Sequence, residues 1–184
     1  MDNEDGAKYI SKKSDSIKNM FRSISGYYDF LNRLLSLGID RSWRNKAAIT
    51  LKDLEDKSLL DLACGTADLA IAIAEVHQSV KIVGIDFVDE MISIGKKKIE
   101  KLKLTDQIKL EVGDALNLKY DDDTFDAVTI GFGVRNFADL ERGLGEIVRV
   151  TKPGGQILIL EFSQPENKIL KALYNFYFTK ILPL

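Results

Sequence analysis

The stretch Leu59-Leu60-Asp61-Leu62-Ala63-Cys64-Gly65-Thr66-Ala67-Asp68 decides the fold of this chain. Leu59–Ala63 is an apolar run interrupted by one carboxylate, too short for a helix and bounded by a glycine turn. Such a run reads as a strand covered on both faces. The apolar spacing then becomes helical from Asp68 to His77, so strand, tight turn and helix follow one another directly. That is the opening unit of a parallel α/β sheet.

The same rhythm repeats outward. Lys81–Asp86 is a second strand, and a helix runs from about Asp89 to Leu102. Ile108–Val112, Phe125–Ile130 and Gln156–Phe162 complete five strand candidates. A helix over Leu140–Val150 separates the last two, and Lys152-Pro153-Gly154-Gly155 turns the chain into the fifth strand. Upstream, apolar residues from Ser14 to about Leu51 recur at helical spacing, and Gly26 and Gly38 break them into short helices rich in aromatics. Residues 1–51 are therefore expected as an N-terminal helical cap and 52–184 as the core, together one domain. Asn167–Leu184 reads as an amphipathic, aromatic-rich helix.

Composition narrows the function. The chain has 184 residues, 45% of them hydrophobic, enough for one well-filled core. A net charge of −2 gives no field for gripping a phosphate backbone, so nucleic acid is not an expected partner. With a single cysteine (Cys64) and a single histidine (His77), the chain has no disulfide framework and cannot by itself build a zinc site of paired cysteines and histidines or of three histidines. No apolar run approaches the ~20 residues of a membrane span, and the acidic start is unlike a secretory or transit peptide. A soluble, cytoplasmic protein is the expectation. His77 is expected on a helix surface, Cys64 as a loop filler, and Asp121-Asp122-Asp123 as a solvated turn.

Three carboxylates fall at successive strand ends, where open α/β sheets bind ligands. Asp61 would face a cationic group, and Gly65 would let the backbone approach the ligand closely. Asp86, twenty-five residues after Asp61, can accept both hydroxyls of a ribose, with Asp89 the better placed residue to cap the following helix. Asp114, in Gly113-Asp114-Ala115, can meet the exocyclic amine of adenine. There is no G-x-G-x-x-G fingerprint and no P-loop lysine. A nucleoside site without phosphate binding suits S-adenosyl-L-methionine, with Asp61, Gly65, Thr66, Asp86, Asp114 and Ala115 as its contacts. No metal ligands are expected.

At this point the residues carry a resemblance. Leu60-Asp61-Leu62-Ala63-Cys64-Gly65-Thr66-Ala67-Asp68-Leu69 resembles motif I of class I methyltransferases. Tyr28-Asp29-Phe30-Leu31-Asn32, with Ser36 and Trp43-Arg44, resembles one signature of the ubiquinone/menaquinone biosynthesis C-methyltransferase family. Arg149-Val150-Thr151-Lys152-Pro153-Gly154-Gly155, running to Glu161-Phe162-Ser163, resembles a second. Between them Gly131-Phe132-Gly133-Val134-Arg135-Asn136 is similar to the family's F-G-x-R-N segment. Asp40 departs from the His frequent in the family, Ala67 from a Gly and Thr151 from an aliphatic residue.

The resemblance implies a class I, Rossmann-like doubly wound sheet and C-methylation of a polyprenyl quinol. The step is demethylmenaquinol to menaquinol, or the related 2-polyprenyl-6-methoxybenzoquinol step of ubiquinone synthesis. It implies catalytic roles for Arg135 and Asn136 at the quinol hydroxyl, the alternative for Arg135 being a salt bridge to Asp139. Polyprenyl substrates imply peripheral contact with the inner face of a membrane. Family members continue past the position of Leu184 into two more strands. A fifth strand left at an edge is then expected to favour homodimers and weak turnover. The competing readings are a methyltransferase for another small molecule, and a non-catalytic S-adenosyl-L-methionine-binding truncated form.

Overall fold

The computed structural model describes residues 15–36 and 38–162. The helix expected over Asn167–Leu184 lies outside them. α1 spans 15–24 and passes through a short 3-10 turn, Ser25–Tyr27, into α2 (Tyr28–Leu35) and α3 (Ile39–Thr50). The core then alternates: β1 (Ser58–Leu62), α4 (Asp68–Val76), β2 (Lys81–Asp86), α5 (Asp89–Lys101), β3 (Ile108–Val112), β4 (Phe125–Gly131), α6 (Leu140–Val150) and β5 (Thr151–Leu160). A 3-10 turn, Val134–Asn136, follows β4.

All pairings are parallel and the order is β3-β2-β1-β4-β5. The chain builds outward from β1 to β3, then crosses back to place β4 on the other side of β1. That reversal is the switch point at which such sheets bind ligands.

Period-two alternation sorts the strand side chains between two cores. Leu59, Ile82, Ile108, Leu110 and Ala127 face α3, α4 and α5, packing against Ala48, Ala70, Ile73, Ile92 and Ile99. Leu60, Leu62, Ile85, Val128 and Ile130 face the other way, against Phe137, Ile147 and Val150. Leu59, Leu60 and Leu62 are wholly excluded from solvent, which stabilises the fold by about 1.5–3 kcal/mol each. Asp61 shares a face with Leu59, so alternation puts a carboxylate where an apolar side chain would otherwise lie. On β2, Gly84 has no room for a side chain: a Cβ there would stand 2.5 Å from Leu110 Cδ2 and 3.0 Å from Cys64 Sγ.

Three details differ from the sequence reading. β5 begins at Thr151 and takes in the Pro153-Gly154-Gly155 turn as a bulge, because the β4 register jumps between Phe125↔Thr151 and Ala127↔Gln156. His77 is buried rather than on the surface, its Nε2 3.0 Å from the Ala48 carbonyl, because the end of α4 packs under α3. Asp89 does not cap α5: Val88 holds that position, and Asp89 enters the first turn and pairs with Arg22 of α1.

Candidate functional site

Loops leaving the carboxyl ends of β1, β2, β3 and β4 enclose a cleft of about 750 Å³, open to solvent. Ala63 and Gly65 come from the loop after β1, Asp86 and Phe87 from β2 and its end. Asp114, Ala115 and Leu116 follow β3, while Phe132 and Asn136 follow β4. Phe21 of α1 and Tyr28 of α2 form a fifth wall, ring against ring in a T-shaped pair 5.9 Å apart. Two carboxylates and no Lys or Arg line this cleft among the described residues. Its chemistry suits a hydrogen-bond donor with apolar faces, not a phosphate.

Asp86 is nearly buried and its two oxygens organise the site. Oδ2 accepts the Gly65 N–H at 2.8 Å and Oδ1 accepts the Val88 N–H at 2.9 Å, so one side chain fixes the loops after both β1 and β2. Burial pushes its pKa up, against the pull of those N–H groups. Each carboxylate oxygen keeps a further lone-pair direction for a ligand. Gly65 sits at φ +54°, a left-handed conformation that glycine adopts without penalty. A Cβ there would meet nothing closer than Tyr28 at 3.9 Å, so it would occupy the cleft itself. Asp114 accepts the Leu116 N–H through Oδ1 at 2.8 Å in a tight turn that aims the segment at the cleft.

Asp61 stands apart from this pair. It lines a smaller adjoining recess of about 330 Å³, together with Arg44, Thr66 and Asp68, and Ala63, Gly65, Gly131 and Tyr28 are common to both spaces. Thr129, its register partner across β4, donates to Asp61 Oδ1 at 2.7 Å. Oδ2 is buried without a hydrogen-bond partner among the described residues. Burial raises the pKa to about 7, opposed by the Thr129 hydroxyl and the Ala70 N–H. A buried, unpaired carboxylate oxygen costs free energy unless something arrives to pair with it.

Arg135 and Asn136 are adjacent in sequence but separate in space. Asn136 lines the larger cleft. Arg135 does not: its side chain is half exposed, bonded through Nη1 to Glu161 Oε1 at 2.9 Å and lying over the Phe162 ring at 5.2 Å. Its partner is Glu161 rather than the Asp139 of the alternative reading, because Asp139 caps α6 by accepting the Arg142 N–H. Cys64 is buried, and burial raises its thiol pKa well above the ordinary value. Asp122 of the acidic turn pairs with Arg149 while remaining exposed.

Sequence reasoning missed the polar network beneath the site. Thr66, expected to touch the ligand, gives its hydroxyl to Asp29 of α2 at 2.5 Å. Lys98 of α5 reaches Asp29 at 3.0 Å, Thr66 at 3.2 Å and also Asp68. Arg44 pairs with Asp40 one turn earlier and approaches Asp68 at 3.9 Å. Burial opposes the Asp40 charge, but hydrogen bonds from Ser36 and Arg44 outweigh it and hold the pKa below its ordinary value. Beside the recess, Trp43, Phe132 and Phe162 form an aromatic cluster with ring separations of 4.6 to 6.1 Å.

Comparison with known proteins matches this arrangement. The chain is 46% identical over 176 residues to the ubiquinone/menaquinone biosynthesis C-methyltransferase UbiE of Geotalea daltonii, covering 95% of this chain and 75% of that one. It is 45% identical over 171 residues to the demethylmenaquinone methyltransferase of Deinococcus radiodurans, covering 93% and 70%. A protein of Methanococcus maripaludis, thought to be an S-adenosyl-L-methionine-dependent methyltransferase, shares the fold at a TM-score of 0.68 with 23% identity, over 88% of this chain and 74% of that one. The model of the ubiE/COQ5 methyltransferase family matches residues 9–184. With the motif segments, the sheet order and the cleft at its switch point in agreement, the chain belongs to the ubiE/COQ5 methyltransferase family.

Proposed function

We propose that the chain transfers a methyl group from S-adenosyl-L-methionine to a ring carbon of a polyprenyl quinol, with demethylmenaquinol as the acceptor. The observation that carries this reading is the cleft that gathers Asp86, Asp114 and Asn136 at the switch point, next to a recess holding an unpaired Asp61 oxygen. When bound, S-adenosyl-L-methionine supplies a methyl group already activated by its sulfonium. This chain's residues therefore mainly position the donor and the acceptor carbon in line.

The residues fit that donor. Asp86 accepts the ribose hydroxyls with the lone pairs left over from Gly65 and Val88. Asp114 accepts the adenine amine beside Ala115 and Leu116. Gly65 lets the backbone approach, Thr66 braces that loop against Asp29, and Asp61 Oδ2 pairs with the ammonium of the amino acid end. On the acceptor side, Asn136 hydrogen-bonds the quinol hydroxyl from within the cleft. Arg135, outside the cleft lining and paired with Glu161, adds positive potential that favours the phenolate. The hydroxyl proton passes to solvent water in the open cleft. Arg135 is too basic to take that proton itself. Phenolate formation enriches the neighbouring ring carbon and makes it the nucleophile. After methyl transfer the ring carbon's own proton also leaves to water and restores the aromatic ring.

Access for a prenyl tail is supported by the apolar exterior of the cap. Tyr27, Phe30, Leu34, Leu35 and Ile39 are exposed on α2 and its flanks, next to the helices that supply Phe21 and Tyr28 to the cleft. No helix among the described residues is long and apolar enough to cross a membrane, so contact with lipid would be peripheral.

The test is mass spectrometry of a reduced naphthoquinol analogue incubated with the chain and S-adenosyl-L-methionine. One added methyl on carbon is expected. Arg135→Ala and Asn136→Ala should each lower the rate by about a hundredfold or more with cofactor affinity unchanged. Methylation at oxygen, or turnover of simple phenols in preference to the quinol, would redirect the substrate assignment.

A further inference from the structure

We propose that Phe132 selects the methyl acceptor by presenting an aromatic surface to it, so that the quinol ring packs against Phe132 on the β4 side of the larger cleft. The inference rests on the quinol reading above and adds to it a residue and a selectivity for flat rings. Phe132 lines that cleft. It is only partly buried and belongs to neither apolar core, so filling the interior does not account for it.

The backbone around Phe132 inverts the usual arrangement. Gly131-Phe132-Gly133 leaves β4 as one side chain between two glycines. A Cβ on Gly131 would stand 3.2 Å from Leu69 Cδ2, and one on Gly133 would stand 2.5 Å from Ala63 Cβ. Both glycines are therefore required by close approach to α4 and to the loop after β1, and neither takes a positive φ. The left-handed conformation falls instead on Phe132, at φ +59°. Glycine adopts such a φ freely, whereas a bulky side chain is strained there. A strained phenylalanine between two glycines points to a role for its ring.

The ring is held ready for that role. Phe162 stacks on it with centroids 4.6 Å apart and planes inclined by 28°, and Trp43 of α3 stands 6.1 Å away. The Phe132 N–H donates to the Leu160 carbonyl at 2.7 Å and ties the strained residue to β5. A ring fixed in advance binds another aromatic ring with little further loss of freedom. Sheet order puts it on the acceptor side. Asp86 and Asp114, which hold the donor in the reading above, follow β2 and β3 on one side of β1. Phe132 and Asn136 follow β4 on the other side. One short segment thus supplies both a surface for the acceptor ring and a hydrogen bond for its hydroxyl.

Anaerobic calorimetry tests this with the full chain saturated with S-adenosylhomocysteine. The probes are a 1,4-naphthalenediol carrying one prenyl unit and the ring-free prenyl alcohol. The wild-type chain should bind the diol about tenfold or more tightly than the alcohol. Phe132→Leu, which keeps an apolar side chain and loses the ring, should weaken the diol by about three- to tenfold. Affinity for the alcohol and for S-adenosylhomocysteine should not change. Phe132→Gly, which relieves the backbone, should show the same selective loss, and Phe132→Tyr should restore the diol to within about twofold of wild type. In turnover, Phe132→Leu should raise KM for the diol with kcat little altered, as expected for an interaction made equally before and during reaction. Unchanged diol affinity in the folded Phe132→Leu chain, or an equal loss for S-adenosylhomocysteine, would overturn the assignment of Phe132. Failure of the wild-type chain to bind the diol would instead overturn the quinol reading beneath it.

Discussion

The sheet and the helical cap are held together by different physics. β1 buries Leu59, Leu60 and Leu62 completely between two cores built mainly of aliphatic side chains, with Asp61 and its partner Thr129 the buried polar pair between the two central strands. α2 buries no residue at all. It is tied down by Asp29, which takes Lys98 and Thr66, while α1 is tied by Arg22 to Asp89 and Glu90. α3 is intermediate, with Ala47 and Ala48 in the core and Arg44 in the polar network. Burial does not weaken with salt, whereas partly exposed ion pairs do. The framework of the site is thus fixed by the first force, and the wall that covers it is latched by the second.

Breaking the sheet side should give the largest effect. Leu60→Ala removes a fully buried side chain beside Val128 and should cost about 3 kcal/mol of unfolding free energy in urea titrations with an unchanged slope. A loss of a few tenths would mean that the core relaxes far more than its packing implies.

Asp61 is the point at which the sheet borrows the cap's chemistry, and pH reads it. Its pKa rises on folding from 3.8 to about 7, so the folded state binds the proton more tightly than the unfolded state. Its contribution to stability is therefore complete below the unfolded value and is lost as pH rises through about 7. Asp61→Asn should flatten the decline in melting temperature over that window. Ligand affinity should run the opposite way, because an ammonium group selects the carboxylate. S-adenosylhomocysteine should bind more tightly as pH rises toward 7, by up to about tenfold per unit for a single linked proton, and level off above it. Calorimetry showing a flat profile would exclude Asp61 as the ammonium partner.

The smallest global effect belongs to the latch. Lys98→Met should cost under about 1 kcal/mol, since the pair is partly solvated. Hydrogen exchange should nevertheless speed up across α1 and α2 and leave β1 and β4 unaffected. Raising the salt concentration should reproduce that pattern in the unaltered chain. Equal exchange in cap and sheet would erase the distinction drawn between them.

What sequence could convey follows the same division. Strand and helix positions came from periodicity, which is local, and β2 and β3 lie where the pattern of Lys81–Asp86 and Ile108–Val112 puts them. The carboxylates at strand ends were legible because the topology itself delivers Asp86 and Asp114 to one cleft. Asp29 and Lys98 were not, because an ion pair between residues 69 apart leaves no mark on either local pattern. Arg135 and Asn136 looked equivalent for being neighbours, yet the 3-10 turn that carries them sends one into the cleft and the other to Glu161. His77 was misplaced because its burial depends on the docking of α3, a tertiary event.

The aromatic cluster has a spectroscopic consequence. Trp43 is the chain's sole tryptophan, and it sits on α3 against Phe132 and Phe162, where cap and sheet meet. Tryptophan emission therefore reports the seam between the two regions and nothing else in the molecule, while far-ultraviolet circular dichroism weighs the helices and sheet as a whole. If the cap is latched and the sheet is packed, the two signals should part company during denaturation, the emission changing first. A single coincident transition would mean that the seam and the framework melt as one cooperative unit.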